Sequence, residues 1–190
     1  MANLITLQQF KDAEQITNPR DDFKLSRIID AVSQMVKTYC GNSFVDFFST
    51  NKVEEFTLNW ATYAVQLTES PANNIVSVEK RDSITEAYTT VSSNEYYLDK
   101  NTDTVLYVNG AVYQNWPTGV ASVKVTYTAG YSSVPADLQI AVIDLINYYF
   151  KDEHKTRRTL SGATLENPDS GDSKGFPDHI KRVLDMYKNF

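Results

Sequence analysis

The chain has a single cysteine, Cys40, so no intrachain disulfide can form and stability has to come from packing or from partner subunits. Cys40 falls in a helical apolar pattern and reads as a small buried hydrophobe. Only two histidines are present, His154 and His179, and neither stands at ligand spacing from another His or Cys. That excludes a recognisable zinc site and leaves both as solvated surface histidines. No apolar run approaches the ~20 residues of a membrane span. The opening "MANLITLQQF" lacks a basic segment followed by a long apolar stretch, so no secretory signal is expected. There is no glycine-rich phosphate loop, no internal repeat and no low-complexity tract. A net charge of −6 argues against general affinity for nucleic acid, which needs a basic face to release counterions. An acidic wall does allow a polyanion to slide past without sticking.

What is present describes a folded protein. In 190 residues, 42% are hydrophobic and 22% charged, enough for one ordinary domain or a core with a small second lobe. "ITLQQFKDAEQ" predicts a short helix capped by Thr6, with Leu7, Phe10 and Ala13 on one face. "TNPRDDFKLSRIIDAVSQMVKTYCG" predicts a second, with Asn18 as N-cap, Pro19 in the first turn and Gly41 as C-terminal stop. Its apolar residues Leu25, Ile28, Ile29, Val32, Met35, Val36 and Tyr39 recur at threes and fours.

From Phe44 to Tyr131 the period changes to short β-rich runs. "FVDFFST" and "VEEFTLN" flank a turn at Thr50–Lys52, and "YAVQLTES" ends at Pro71. "IVSVEKRD" reads as a strand with Ile75 and Val78 apolar. "NEYYLDK" and "TVLYVNG" form a hairpin around Asn101–Asp103, and the Asn-Gly pair of "VNGA" signals another. "ASVKVTYTAG" alternates, with Val123, Val125, Tyr127 and Ala129 on one face. After Gly130 the pattern is helical, with Pro135 at the first position and a stripe of Leu138, Ala141, Val142, Leu145 and Tyr149. Ile140, Ile143 and Phe150 lie off that stripe, so the helix should be touched from several sides. Glu153 to Gly175 is polar and loop-like. "FPDHIKRVLDMYKNF" closes as a short helix started by Pro177, with a stripe of Ile180, Val183, Leu184 and Tyr187.

Searches for chemistry come up short. "GYSSV" lacks the second glycine of a nucleophile elbow, which removes Ser132 as a candidate. "DKNTDT" begins like a calcium loop, but Thr104 stands where glycine is needed and Gly110 where the closing glutamate would be, so a plain turn is expected. "NPDSGDSKG" is acidic and glycine-rich without a ligand pattern. "KDEHKTRR" is the one local basic cluster, read either as favourable charge at a helix C-terminus or as an arm for phosphate or an acidic neighbour. The expectation is therefore no enzyme, no metal and no cofactor.

The order of the pieces matches a family. In "NPRDDFKLSRIIDAVSQMVKTYCGNSF" the acidic pair Asp21 and Asp22 precedes a helix ending in Tyr39, Gly41 and Phe44. "EYYLDKNTDTVLYV" supplies a Tyr-x-Leu-Asp turn, Trp116-Pro117 a Trp-Pro step, and "VKVTYTAGYSSVPADLQIAVIDLINYYFK" a valine-rich strand, an Ala-Gly-Tyr corner and a Pro-started helix ending in aromatics. Over most of Leu4 to Lys151 this resembles the phage head–tail connector proteins, also called adaptor or head-completion proteins. The longer strand block and the large Glu153–Gly175 loop depart from the shorter members.

The resemblance implies a structural protein of the virion neck, made in the bacterial host's cytoplasm. It would be a homo-oligomer, a dodecameric ring that docks under the portal protein. The ring would extend the DNA channel without sequence-specific binding and present a platform to the stopper or tail-completion protein, with no membrane involved. The expected fold is α+β, a small helical bundle from residues 1–42 and 132–190 with an inserted antiparallel β-rich lobe at 43–131. Candidate portal contacts are Ile180, Val183, Leu184, Tyr187 and Phe190. Candidate subunit contacts are Ile140, Ile143 and Phe150, and a partner-contact loop would use His154, Lys155, Arg157 and Arg158. The competing reading is a tail-associated β-rich module whose Tyr and Trp faces contact another virion protein or the host surface.

Overall fold

The computed structural model describes residues 2–153, 157–160, 163–166 and 176–188. The chain divides into two compact units, Ser43–Ser133 and Met1–Asn42 with Val134–Phe190. With helices and antiparallel sheets in one chain, the fold is α+β.

The β unit holds β1 (Lys52–Leu58), β2 (Ala64–Gln66), β3 (Ala72–Lys80), β4 (Thr89–Thr90), β5 (Tyr96–Asp99), β6 (Thr104–Asn109), β7 (Val112–Tyr113) and β8 (Gly119–Ala129). One antiparallel sheet runs β1-β8-β3-β4, and a second runs β2-β6-β5 with β7 paired to β6. The alternation of β8 is realised: Val123, Val125, Tyr127 and Ala129 are buried while Lys124, Thr126 and Thr128 are not. They share one core with Val78 of β3, Val65 of β2, Val105 of β6 and Trp116, so both sheets feed the same interior. The expected hairpins form. β5 meets β6 around Asn101–Asp103, where Asp99 accepts from the Asn101 N–H and the Thr102 hydroxyl, both at 3.0 Å. β6 meets β7 across Gly110 and Ala111, with Asn109 paired to Val112.

The segment "FVDFFST" is not a strand: residues 44–50 are turns and bends. Phe44 is fully buried at φ +61, a left-handed conformation no strand residue adopts. The reason lies across from it. Gly130, at φ +92, sits so close that a Cβ there would stand 2.0 Å from the Phe44 carbonyl oxygen. That carbonyl accepts from the Tyr131 N–H at 2.7 Å, and the Phe47 carbonyl accepts from the Ala129 N–H at 3.0 Å. The segments that open and close the β unit are thus stitched together side by side.

A half-buried ionic cluster reinforces this. Strand β1 is a sheet edge whose Lys52 and Glu54 lie on its less exposed side. The Lys52 ammonium reaches Glu54 at 2.8 Å and Glu69 at 2.9 Å. The Tyr127 hydroxyl donates to Glu54 at 2.9 Å, and Thr68 donates to the same carboxylate. Glu69 in turn accepts from the Ser43 N–H and hydroxyl, which holds the first residue of the unit. Burial alone would raise the Glu54 pKa, but hydrogen bonds from Lys52, Thr68 and Tyr127 and the Lys52 charge outweigh it and leave it below the ordinary glutamate value.

The helical unit contains α1 (Leu7–Ala13), α2 (Asp22–Cys40), α3 (Ala136–Phe150) and α4 (Asp178–Met186), with a two-stranded hairpin of β9 (Arg157–Leu160) and β10 (Ala163–Glu166). Two strands therefore stand inside the stretch expected to be loop. Thr6 and Gln9 form a reciprocal capping box on α1. Phe10 is buried, but Ala13 is exposed. Helix α2 starts three residues later than expected: Asn18 spends its side chain on the Arg20 N–H at 2.9 Å, a local turn, and Asp21 becomes the cap residue. Its end is as expected, with Gly41 left-handed at φ +65. The buried side of α2 is Leu25, Ile29, Val32, Val36 and Cys40. Pro135 and Pro177 each stand at the N-cap, one residue before the first helical turn.

Two outcomes are expected. Gly130→Ala loses at least about 3 kcal/mol in urea unfolding, because strain and backbone clash combine, whereas Gly110→Ala, with open space at φ +61, loses about 1 kcal/mol. Equal losses would contradict the close approach. Lys52→Met costs about 2–3 kcal/mol at pH 7 by leaving Glu54 and Glu69 without their cation. Because Glu54 is depressed in the folded state, its contribution is intact above the ordinary glutamate range and is lost as pH falls below about 4. The mutant deficit should accordingly shrink there, and a deficit independent of pH would refute the ionic account.

Candidate interaction surfaces

Helix α4 shows what its stripe does. Ile180 and Leu184, expected to touch a portal, are fully buried within the chain, and Val183 and Tyr187 are half-buried. Polar ties hold the helix in place. The Tyr39 hydroxyl donates to Asp185 at 2.6 Å, and the Tyr187 hydroxyl lies 2.7 Å from Asp137. The Tyr39 ring packs on Phe176 at 4.9 Å, with the Lys188 ammonium over it at 5.0 Å. The bond to Asp185, then burial, pushes the Tyr39 phenol up to about 12. Cys40 is sealed beneath Leu184, and burial followed by the Asp185 charge raises its thiol to about 12, the chemistry of an inert structural cysteine. In this conformation α4 closes the bundle, so Ile180 and Leu184 are corrected from contact residues to core residues. Phe190 lies outside the described residues.

The three off-stripe residues of α3 do not act alike. Ile140 is 62% exposed, while Ile143 and Phe150 are half-buried. Phe150 is covered by α2: the Lys24 ammonium stands 4.7 Å from its ring centre and donates to its carbonyl at 3.3 Å. Ile146, outside the expected stripe, is fully buried, because the buried face is broader than one line of threes and fours. Beside α3, the exposed side of α2 bounds a groove of ≈ 490 Å³ lined by Phe23, Ile28, Met35 and Tyr149. Lys24, Arg27 and Asp152 also line it. Phe23 is 78% exposed, with the Arg27 guanidinium over its ring at 6.0 Å from the centroid. Sequence reasoning passed over Phe23; the signal was an aromatic among charges on the polar face of an amphipathic helix.

The β unit carries its own exposed aromatics. Tyr63 stacks on Tyr113 at 4.6 Å, and Trp60, three residues before Tyr63, is 72% exposed. Of the basic run, Arg157 and Arg158 belong to β9, and His154 and Lys155 lie outside the described residues. His179 is exposed on α4. Among the described residues, no group of three His, Cys, Asp or Glu could hold a metal ion, and no helix is long and apolar enough to cross a membrane. In the acidic turn Asp99 accepts from the Asn101 N–H and the Thr102 hydroxyl, and Asp103 accepts from the Ala72 N–H at 2.7 Å.

These surfaces are apolar and aromatic, suited to protein contact. A family model described as head completion protein matches residues 3–190. The chain belongs to the head completion protein family. A head completion protein of Escherichia phage T5 is 28% identical over 85 residues, which is 44% of this chain and 48% of that one. The aligned stretch thus spans about half the length of that relative. Among solved structures, a chain in the neck of an empty GTA particle, computed with C6 symmetry, superposes with a TM-score of 0.64 at 16% identity, covering 98% of this chain and 90% of that one. A chain in the neck of the native GTA particle, computed with C12 symmetry, gives 0.61 at 16% identity, covering 100% and 96%. A chain in the virion of native gene transfer agent (GTA) gives 0.61 at 18% identity. At these identities the likeness is one of fold, and it extends over both units of this head completion family member.

Proposed function

We propose that this protein is a structural component of the neck of a tailed phage or phage-like particle. It acts as a head–tail adaptor whose copies form a ring beneath the portal, extend the DNA channel and offer a platform to the stopper or tail. The observation that carries the reading is the match of the whole chain to the head completion family, joined to a fold shared end to end with a chain from a particle neck computed with C12 symmetry. The surfaces fit the role. Copies in a closed ring meet through two different patches, and the helical unit leaves an apolar groove and an exposed Ile140. The β unit leaves Trp60, Tyr63 and Tyr113 for a further partner.

Its chemistry is also that of a channel part. Residues 43–133 carry ten acidic side chains against five basic ones, so a polyanion passing that unit is repelled rather than retained. The portal contact would then fall to the last residues beyond α4 or to the basic run His154, Lys155, Arg157 and Arg158, since the buried stripe of α4 is committed to the bundle.

Electron microscopy of the purified protein mixed with isolated portal rings tests this directly. A second ring stacked coaxially on the portal is expected. A protein that stays monomeric and ignores portals would contradict the proposal and favour the host- or tail-contacting β module.

A further inference from the structure

We infer that the groove beside α2 and α3 receives the Ile140 ridge of a second copy of this chain, and that this contact joins neighbouring subunits. The inference rests on the ring reading above and names its surfaces. The groove is largely apolar, with Phe23, Met35 and Tyr149 in its lining beside the cations Lys24 and Arg27. The acidic Asp152 also lines it, so the cations prevail by one charge.

Ile140 follows the same helix on another side. At about 100° per residue, Tyr149 is roughly half a turn around α3 from Ile140. Ile140 is 62% exposed, and Asp144, one turn further along the helix and on nearly the same face, is exposed beside it. Asp137, almost one turn before Ile140, adds a second exposed carboxylate, which accepts from Tyr187. An exposed isoleucine flanked by acids and a largely apolar groove with two bases and one acid in its lining therefore stand on one compact unit.

Geometry then chooses the partner. Because Ile140 stands half a turn round α3 from Tyr149 in the groove's lining, one copy cannot fill its own groove. Each patch complements the other in charge rather than itself, which disfavours a two-fold dimer, where the same patch meets its twin. A groove-to-ridge contact leaves one free groove and one free ridge at the ends of every assembly, so it propagates head to tail and closes when the rotation per subunit permits.

Charge exchange tests the pairing. Asp144→Lys and the double change Lys24→Glu with Arg27→Glu should each reduce ring assembly about tenfold, scored by native mass spectrometry and by microscopy on portal rings. Combining all three should restore assembly to within a few-fold of the parent. Ile140→Glu, at a solvent-facing position that leaves the bundle core alone, should abolish assembly with unchanged thermal unfolding. Assembly indifferent to these changes, or lost and not restored in the combination, overturns the inference while the ring reading stands. Rings that still form but no longer bind portals also overturn it, by giving the groove to the portal. A parent protein that forms no ring under any of these conditions overturns both.

Discussion

The β unit depends on one close approach. The Phe44 carbonyl and the Cα of Gly130 come so near that no side chain fits between them, and the hydrogen bonds from Tyr131 and Ala129 run alongside. Phe44 belongs to the segment that opens the unit and Gly130 to the segment that closes it. Joining the two ends of a long insertion removes the freedom that would otherwise let it open. The ionic cluster works at the same place: Lys52 draws Glu54 and Glu69 together, Glu69 holds Ser43, and Tyr127 carries the connection into the core of β8. Gly130 also accepts from the Asn73 side chain through its carbonyl and donates to the Pro71 carbonyl, which ties in the start of β3. A domain inserted between helices keeps its own shape through this knot.

The helical unit solves a different problem. It has to be stable as one chain and still keep surface for others. Four helices close a core around Phe10, Leu25, Ile29, Val36, Leu138, Leu145, Ile146, Ile180 and Leu184. What is left over is apolar material that this core does not need: Phe23 on α2, Ile140 on α3 and Met186 at the end of α4. A closed core and these exposed apolar side chains thus stand together on one helical unit.

Much of this was legible in the sequence, for identifiable reasons. Strand β8 and its buried face followed from strict alternation, the two hairpins from their turn residues, and the helix ends at Thr6 and Gly41 from local capping chemistry. These are short-range signals that neighbours in sequence settle among themselves. Most of the errors came from long-range effects, and one from a competing local turn. Residues 44–50 read as a strand because they are rich in Phe and Val, yet contact with Gly130 imposes a left-handed Phe44 that composition does not encode. Asn18 looked like a cap but turns the chain one step earlier. At the candidate surfaces, Ile140 stood out because it broke the stripe, but Ile180 and Leu184 could not be told from docking residues, since an apolar stripe fits a bundle and a partner equally well. The groove was invisible because it needs α2 and α3 side by side.

The proposed role is one of place, so place is what has to be measured. Focused cryo-electron microscopy of the neck in intact particles, with each of the two units fitted separately, is the most direct measurement. The account predicts density for multiple copies around the channel between portal and tail, with α3 of each copy against its neighbour. Finding the chain at the distal tail tip instead, or as isolated copies with no neighbour, would contradict it.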